Sequence, residues 1–295
     1  MKQISVLFAA IILVLAFHGC STPTQQADPA PSVGVPTELS NNASCPEIDE
    51  TVIYDSEVLS ITVTGMEYDS TFKTYVIKTN IQNHSQESIS YSLNWANVNG
   101  YTISSLALGT VFGEKTASAD FGLPNDELQL AGITSIQEIS FSFEFRNADS
   151  DELICVAPAN LHTSCYGEPF DEYSFDGTEA YVSDSYKILL APYSEPSVTH
   201  PLTIYVENQS DHPLGLMYDG IALNDQMVAN YMSGPYVLPH SRRIEVVTIP
   251  YFGNEPEIGA IESVSLSFEL APYRTDGSFS TGDMEKVPAV SIAMN

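Results

Sequence analysis

Two glutamates, Glu144 and Glu269, occupy the same place in two nearly identical segments, "ISFSFEF" (139–145) and "VSLSFEL" (264–270). A pair of carboxylates facing one cleft could cleave a glycosidic bond, one as acid and the other as base or nucleophile. In both segments, however, the Glu shares the serine side of an alternating run, so the simplest expectation is a solvated strand face. Carboxylates also crowd "NADSDE" (147–152), a candidate for a divalent cation, but the loop lacks the spacing and the Gly of an EF-hand. His84, His162, His200, His212 and His240 show no His-Glu-x-x-His spacing, and the last three adjoin prolines in turn-like settings. Neither a Gly-x-Ser-x-Gly elbow, a phosphate loop nor a dinucleotide fingerprint occurs. The expectation is a chain that is not an enzyme, with no cofactor and no metal. One further group could do binding chemistry: Tyr231, Tyr236, Tyr251 and Phe252, in irregular stretches, could form an aromatic patch for carbohydrate or protein.

The strands that carry these residues are duplicated. Positions 139 and 264 are 125 apart, and the same offset sets Ile136 on Ile261, Ile133 on Ile258, Gly109 on Gly234, Asn99 on Asn224, Ser85 on Ser210 and Asn83 on Asn208. Identities spread at one offset over this length mark a duplicated domain, and two copies are too few for a solenoid or propeller. "NHS" and "NQS" end alternating runs, where Asn and Ser side chains turn the backbone. "VNG" (98–100) and "LND" (223–225) predict tight hairpin turns. In "PNDELQLAGITSI", Leu130, Ile133 and Ile136 predict a short helical piece behind Asn125 or Asp126 as cap. Every repeated feature has a packing or turn explanation.

Alternating runs at Leu59–Val63, Tyr75–Ile81, Ile89–Trp95 and Leu202–Val206 predict short strands separated by turns, hence a β-sandwich. With 10 Lys and Arg against 38 Asp and Glu the formal charge is −28, which repels nucleic acid and anionic headgroups. Nucleic acid is therefore excluded as a partner. Besides Cys20 there are Cys45, Cys155 and Cys165, one too many to pair; Cys155 with Cys165, or Cys45 with either, are all open.

The N-terminus begins with Lys2 and continues as an apolar run, Ile4 to Phe17, broken only by Ser5. Its 14 residues are too few to span a bilayer and suit a signal peptide. It ends at Gly19-Cys20, which resembles the lipobox of bacterial lipoproteins, with Phe17 where Leu is usual and His18 where a small residue is usual. Residues 21–44 carry four prolines and no aromatic, the composition of a tether, with a mean reach of about 25–30 Å. This lipobox-like Cys20, the run "NHS…VNG…GITSIQEISFSFEF" and its echo "NQS…LND…EIGAIESVSLSFEL" together resemble a loosely defined group of uncharacterised bacterial, Firmicutes-type surface lipoproteins with tandem immunoglobulin-like β-sandwich domains. The resemblance implies lipidation at Cys20 and a place on the extracytoplasmic side of the cell membrane. It implies no active site. Trp95 stands where such a domain keeps a core Trp, but no Cys pair flanks it and its counterpart is Gly220.

The expected organisation is thus all-β: a signal peptide over 1–19, a lipid-anchored flexible tether over 20–45, one sandwich over 46–158, a connector over 159–179 and a second sandwich over 180–295. The connector is too rich in Phe and Tyr to be free and is expected to pack against a domain. The expected role is non-catalytic binding of a protein or polysaccharide ligand, by a chain held to the lipid bilayer through Cys20. The alternative is a structural or accessory subunit of a membrane or envelope complex.

Overall fold

A computed structural model describes residues 46–169, 173–194, 196–230, 232–249, 258–272 and 284–294. The signal peptide, Cys20, the tether and Cys45 lie outside the described residues, as do Tyr231, Tyr251 and Phe252. All described residues belong to one compact unit.

The first copy contains β1 (Thr51–Asp55), β2 (Leu59–Asp69), β3 (Thr74–Asn83), β4 (Ile89–Val98), β5 (Tyr101–Val111), β6 (Thr116–Ser118), β7 (Phe121–Pro124), the helix α1 (Asn125–Leu130), β8 (Glu138–Asn147) and β9 (Leu153–His162). The second contains β10 (Thr178–Val182), β11 (Tyr186–Pro192), β12 (Leu202–Asn208), β13 (Leu214–Leu223), β14 (Gln226–Ala229), β15 (Met232–Val237), β16 (Ser241–Val247), β17 (Ser263–Pro272) and β18 (Glu285–Ala293). Strand β4 maps onto β13, and β8 onto β17, residue for residue at the 125-residue offset. The fold is an all-β sandwich architecture built twice.

The two copies do not sit as separate beads. In the first, β1-β2-β3 with β6 and β7 form one sheet, and in the second, β13, β14, β15, β17 and β18 form another. Between them runs a single eight-stranded sheet, β10-β11-β12-β16-β5-β4-β8-β9, to which each copy gives four strands. The seam is a parallel bridge between Arg242 of β16 and Tyr101 of β5, closed by the Arg242 N–H donating to the Gly100 carbonyl at 2.9 Å. Side chains explain why the copies fuse. On β11, Ile188 and Leu190 enter the second copy's core, whereas Leu189 between them joins the first copy's core. On β12, Ile204 and Val206 face one way and Tyr205 the other. Strands buried on both faces are mostly apolar, as "ILLA" and, with only Thr203 polar, "LTIYV" are. Phe175 stacks on Tyr205 with centroids 5.5 Å apart, and the Tyr173 ring lies against Gly132, whose φ of +69° needs no side chain there.

Two details differ from the sequence expectation. Strand β9 runs through Cys155 to His162, because its "CVAPANLH" pairs fully with β8 despite Pro158, which occupies an edge strand. Helix α1 begins behind Pro124, and neither Asn125 nor Asp126 caps it; its first turn carries Asp126 and Glu127 instead.

The duplicated polar residues are turn locks. Asn83 is buried, donates to the carbonyls of Glu87 and Val111, and accepts from the N–H and hydroxyl of Ser85. Asn208 does the same with His212, Val237, Leu238 and Ser210. Asn99 and Asn224, both at positive φ in the hairpin turns, each pin the segment before the closing strand through a side-chain amide.

Candidate binding groove between the repeats

A bulge in β4 begins the site. The register of β4 slips between Leu93 and Trp95 against β5, and between Ser92 and Ala96 against β8. An extra residue re-aims the following side chain, and Trp95 leaves the core of its own copy to meet the other one. It stacks on Tyr236 of β15, centroids 5.0 Å apart and planes 19° from parallel. The immunoglobulin-type core position considered for Trp95 is therefore not where it lies. The bulge recurs at Tyr218/Gly220 in the second copy, with Gly220 in the place of Trp95.

Beneath Trp95 lies Arg243, only 6% exposed, its guanidinium carbon 4.8 Å from the indole centroid. Its Nη2 donates to Ser104 Oγ at 2.9 Å and its Nε to Glu245 Oε2 at 2.9 Å, and Glu127 stands 3.8 Å away. Glu127 in turn accepts the Ser104 N–H, so α1 brings one carboxylate to this junction. The Arg243 Nη1 has no hydrogen-bond partner among the described residues. Burial pushes the Glu245 carboxyl above its usual range, with Arg243 pulling the other way.

Above this junction a groove of about 800 Å³ runs along the outer face of the shared sheet. Its floor includes Ser92 and Asn94 of β4 and Ser140, Ser142 and Glu144, the polar side of the repeated "ISFSFEF" strand. Its wall is the second copy's Tyr236, Leu238, Pro239 and His240. Polar floor and apolar wall give hydrogen-bonding groups on one side and contact area on the other, as ligand sites require. Glu144 is paired with Arg146, and Glu138 adds a second carboxylate to the lining, bonded by the Asn160 amide.

The other residues singled out from the sequence are not gathered here. Glu269 is not on a solvated face: it is 6% exposed and its carboxylate meets Lys286 Nζ at 2.7 Å. On its strand Glu269 alternates with the core residues Phe268 and Leu270, and its cross-strand neighbour is Lys286 of β18, so it is engaged there and not with Glu144. In "NADSDE", the Asn147 carboxamide accepts the N–H groups of Asp149 and Ser150, and Asp151 takes a left-handed φ, so the loop is a turn closing β8 on β9. His162 stacks on Tyr166, His200 bonds Thr199, and the exposed His240 meets Asp211 at 2.9 Å. Among the described residues no three His, Cys, Asp or Glu side chains are placed to hold a metal ion. Of the four aromatics proposed as a patch, Tyr236 is the one described, and its partner Trp95 was missed.

No protein-family model matches the chain, and no curated protein is significantly similar to it. Among solved structures, similarity extends to the YadV chaperone, at 9% identity and a TM-score of 0.23 over 72% of this chain and 92% of that one. It extends likewise to red sea bream transglutaminase, at 11% identity and a TM-score of 0.23 over 76% of this chain, which spans 29% of that protein's length.

Proposed function

We propose that this chain is a non-catalytic, extracytoplasmic binding protein of immunoglobulin-like sandwiches, anchored to the bilayer through a lipidated Cys20, and that it takes its ligand in the groove between the repeats. The observation that carries the reading is the Trp95–Tyr236 stack beside a polar sheet face, where the two copies build a concavity together. The ligand is an extended chain, peptide or polysaccharide, because the groove is an open trough along strands rather than an enclosed pocket. Trp95 is the only Trp in the protein, so its emission reports the groove alone. Titrating soluble cell-wall glycan fragments and peptides should change that emission saturably, and the change should vanish in Ser142→Arg. Saturable binding that leaves Trp95 emission unchanged would place the ligand elsewhere.

A second reading, an accessory subunit of a membrane complex, is favoured by one observation. On β5 and just beyond it, Leu106, Leu108 and Phe112 are 60%, 66% and 68% exposed, a run of large apolar side chains that a protein partner would cover.

A further inference from the structure

An extended peptide and a polysaccharide ask different things of the groove, and its hydrogen bonding separates them. A peptide carries an N–H and a C=O at nearly every residue, and a sheet satisfies them by taking the peptide as a further strand. The floor strands cannot do this. Strand β4 is paired on one side with β5 and on the other with β8, and β8 in turn with β4 and β9. Outside the bulge, their backbone groups are therefore engaged in the ladders. The sheet ends at β9, on the rim of the groove, where the lining residue Pro158 has no N–H to give.

Side chains are what the floor offers instead. The Ser92 hydroxyl, the Asn94 carboxamide and the hydroxyls of Ser140 and Ser142 have no hydrogen-bond partner among the described residues. Asn94 and Ser142 are exposed, and Ser92 and Ser140 are half-buried. Their polar neighbours are engaged: Glu144 holds Arg146, the Asn160 amide donates to Glu138, and Asn97 accepts the Gly100 N–H. A hydroxyl or carboxamide both donates and accepts, as each hydroxyl of a sugar does, so the match needs no charge. Trp95 and Tyr236 add flat apolar surface to the lining, which suits the C–H face of a sugar ring. A protein of formal charge −28, with Glu138 and Glu144 in this lining, repels a polyanion.

We infer that the ligand of this groove is an uncharged polysaccharide, whose hydroxyls are bonded by Asn94, Ser142 and the neighbouring Ser92 and Ser140. This ligand class rests on the binding reading above and narrows it. Because neither the Asn94 nor the Ser142 side chain bonds to the rest of the described chain, replacing either changes the groove without loosening the fold.

The test is titration of the full chain, followed by calorimetry and by Trp95 emission, with three kinds of probe. These are neutral hexasaccharides of glucose, N-acetylglucosamine and mannose, heparin as a polyanion, and a pool of uncharged octapeptides. The expected result is a saturable change with at least one hexasaccharide and none with heparin or the peptides. Asn94→Ala and Ser142→Ala should each weaken that binding about fivefold, at an unchanged thermal midpoint. A panel in which no hexasaccharide saturates overturns the ligand class; if the peptides saturate instead and shift Trp95 emission, the groove reading survives. Heparin binding as tightly as the hexasaccharide overturns the uncharged ligand. Hexasaccharide binding seen by calorimetry alone, with Trp95 emission unchanged and both substitutions silent, places the glycan elsewhere and contradicts the groove itself.

Discussion

Thr102 Oγ1 and Ser241 Oγ lie 2.7 Å apart, both buried, one from each repeat. The same Thr102 oxygen accepts the Leu238 N–H at 3.0 Å, so one hydroxyl ties β5 to both the start of β16 and the turn before it. The junction is thus a hydrogen-bonded continuation of the sheet, and the two copies should unfold as one.

Thr102→Val tests this. It leaves the Leu238 N–H unpaired in a buried place and takes from the Ser241 hydroxyl its Thr102 partner, at about 1–3 kcal/mol. Urea denaturation of the parent should show one transition for both copies, and the variant should show a lower midpoint. An unchanged midpoint would mean the seam does not couple them.

Trp95→Ala should cost about 2–4 kcal/mol, through the lost stack on Tyr236 and the uncovering of Arg243. Trp95→Phe keeps an apolar ring and should recover most of that. Chemical denaturation measures both, and equal losses would show that the indole only fills space.

The turn locks predict a matched pair of effects. Asn83→Ala and Asn208→Ala each strand several backbone groups, so each should cost about 2–3 kcal/mol by urea denaturation. Because the copies are joined, both should shift the same single transition.

Much of this could be read in the chain beforehand. The offset of 125 located the copies, and the Asn-x-Ser and Asn-Gly signals located turns whose hydrogen bonds repeat atom for atom. The fused sheet was not anticipated, although a signal was present: β11 runs apolar without alternation through Ile188–Ala191, the pattern of a strand covered on both faces. The groove was missed for another reason. A β-bulge leaves no mark in composition, so Trp95 reads as an ordinary strand residue until its register is known. Glu144 and Glu269 look equivalent in sequence and diverge in their surroundings: Glu144 is partly exposed beside Arg146, whereas Glu269 is buried against Lys286.

Two carboxyls give opposite pH dependence. At Asp120 burial opposes ionisation, but the Thr79 N–H, the Ser118 hydroxyl and the Lys78 ammonium outweigh it and hold the group below its usual range. Its stabilising contribution is present above the ordinary carboxylate value and is lost as pH falls through the lowered one. Glu245 is raised, so its contribution is full below the ordinary value and is lost as pH rises through the raised one. Asp120→Asn should flatten the acid limb of stability, and Glu245→Gln should remove the decline toward neutrality. Urea midpoints taken between about pH 3 and 7 measure both.

The central claim is that the ligand lies in the trough between the repeats, and a photo-reactive side chain placed at Ser142 in the anchored protein in cells tests it most directly. The same group at Phe72, 78% exposed in the turn between β2 and β3, is the comparison. The account predicts a defined adduct from Ser142 and none from Phe72. No adduct from Ser142, with a protein adduct arising only when the group is moved to Leu108, would contradict it and make the exposed β5 stripe the working surface.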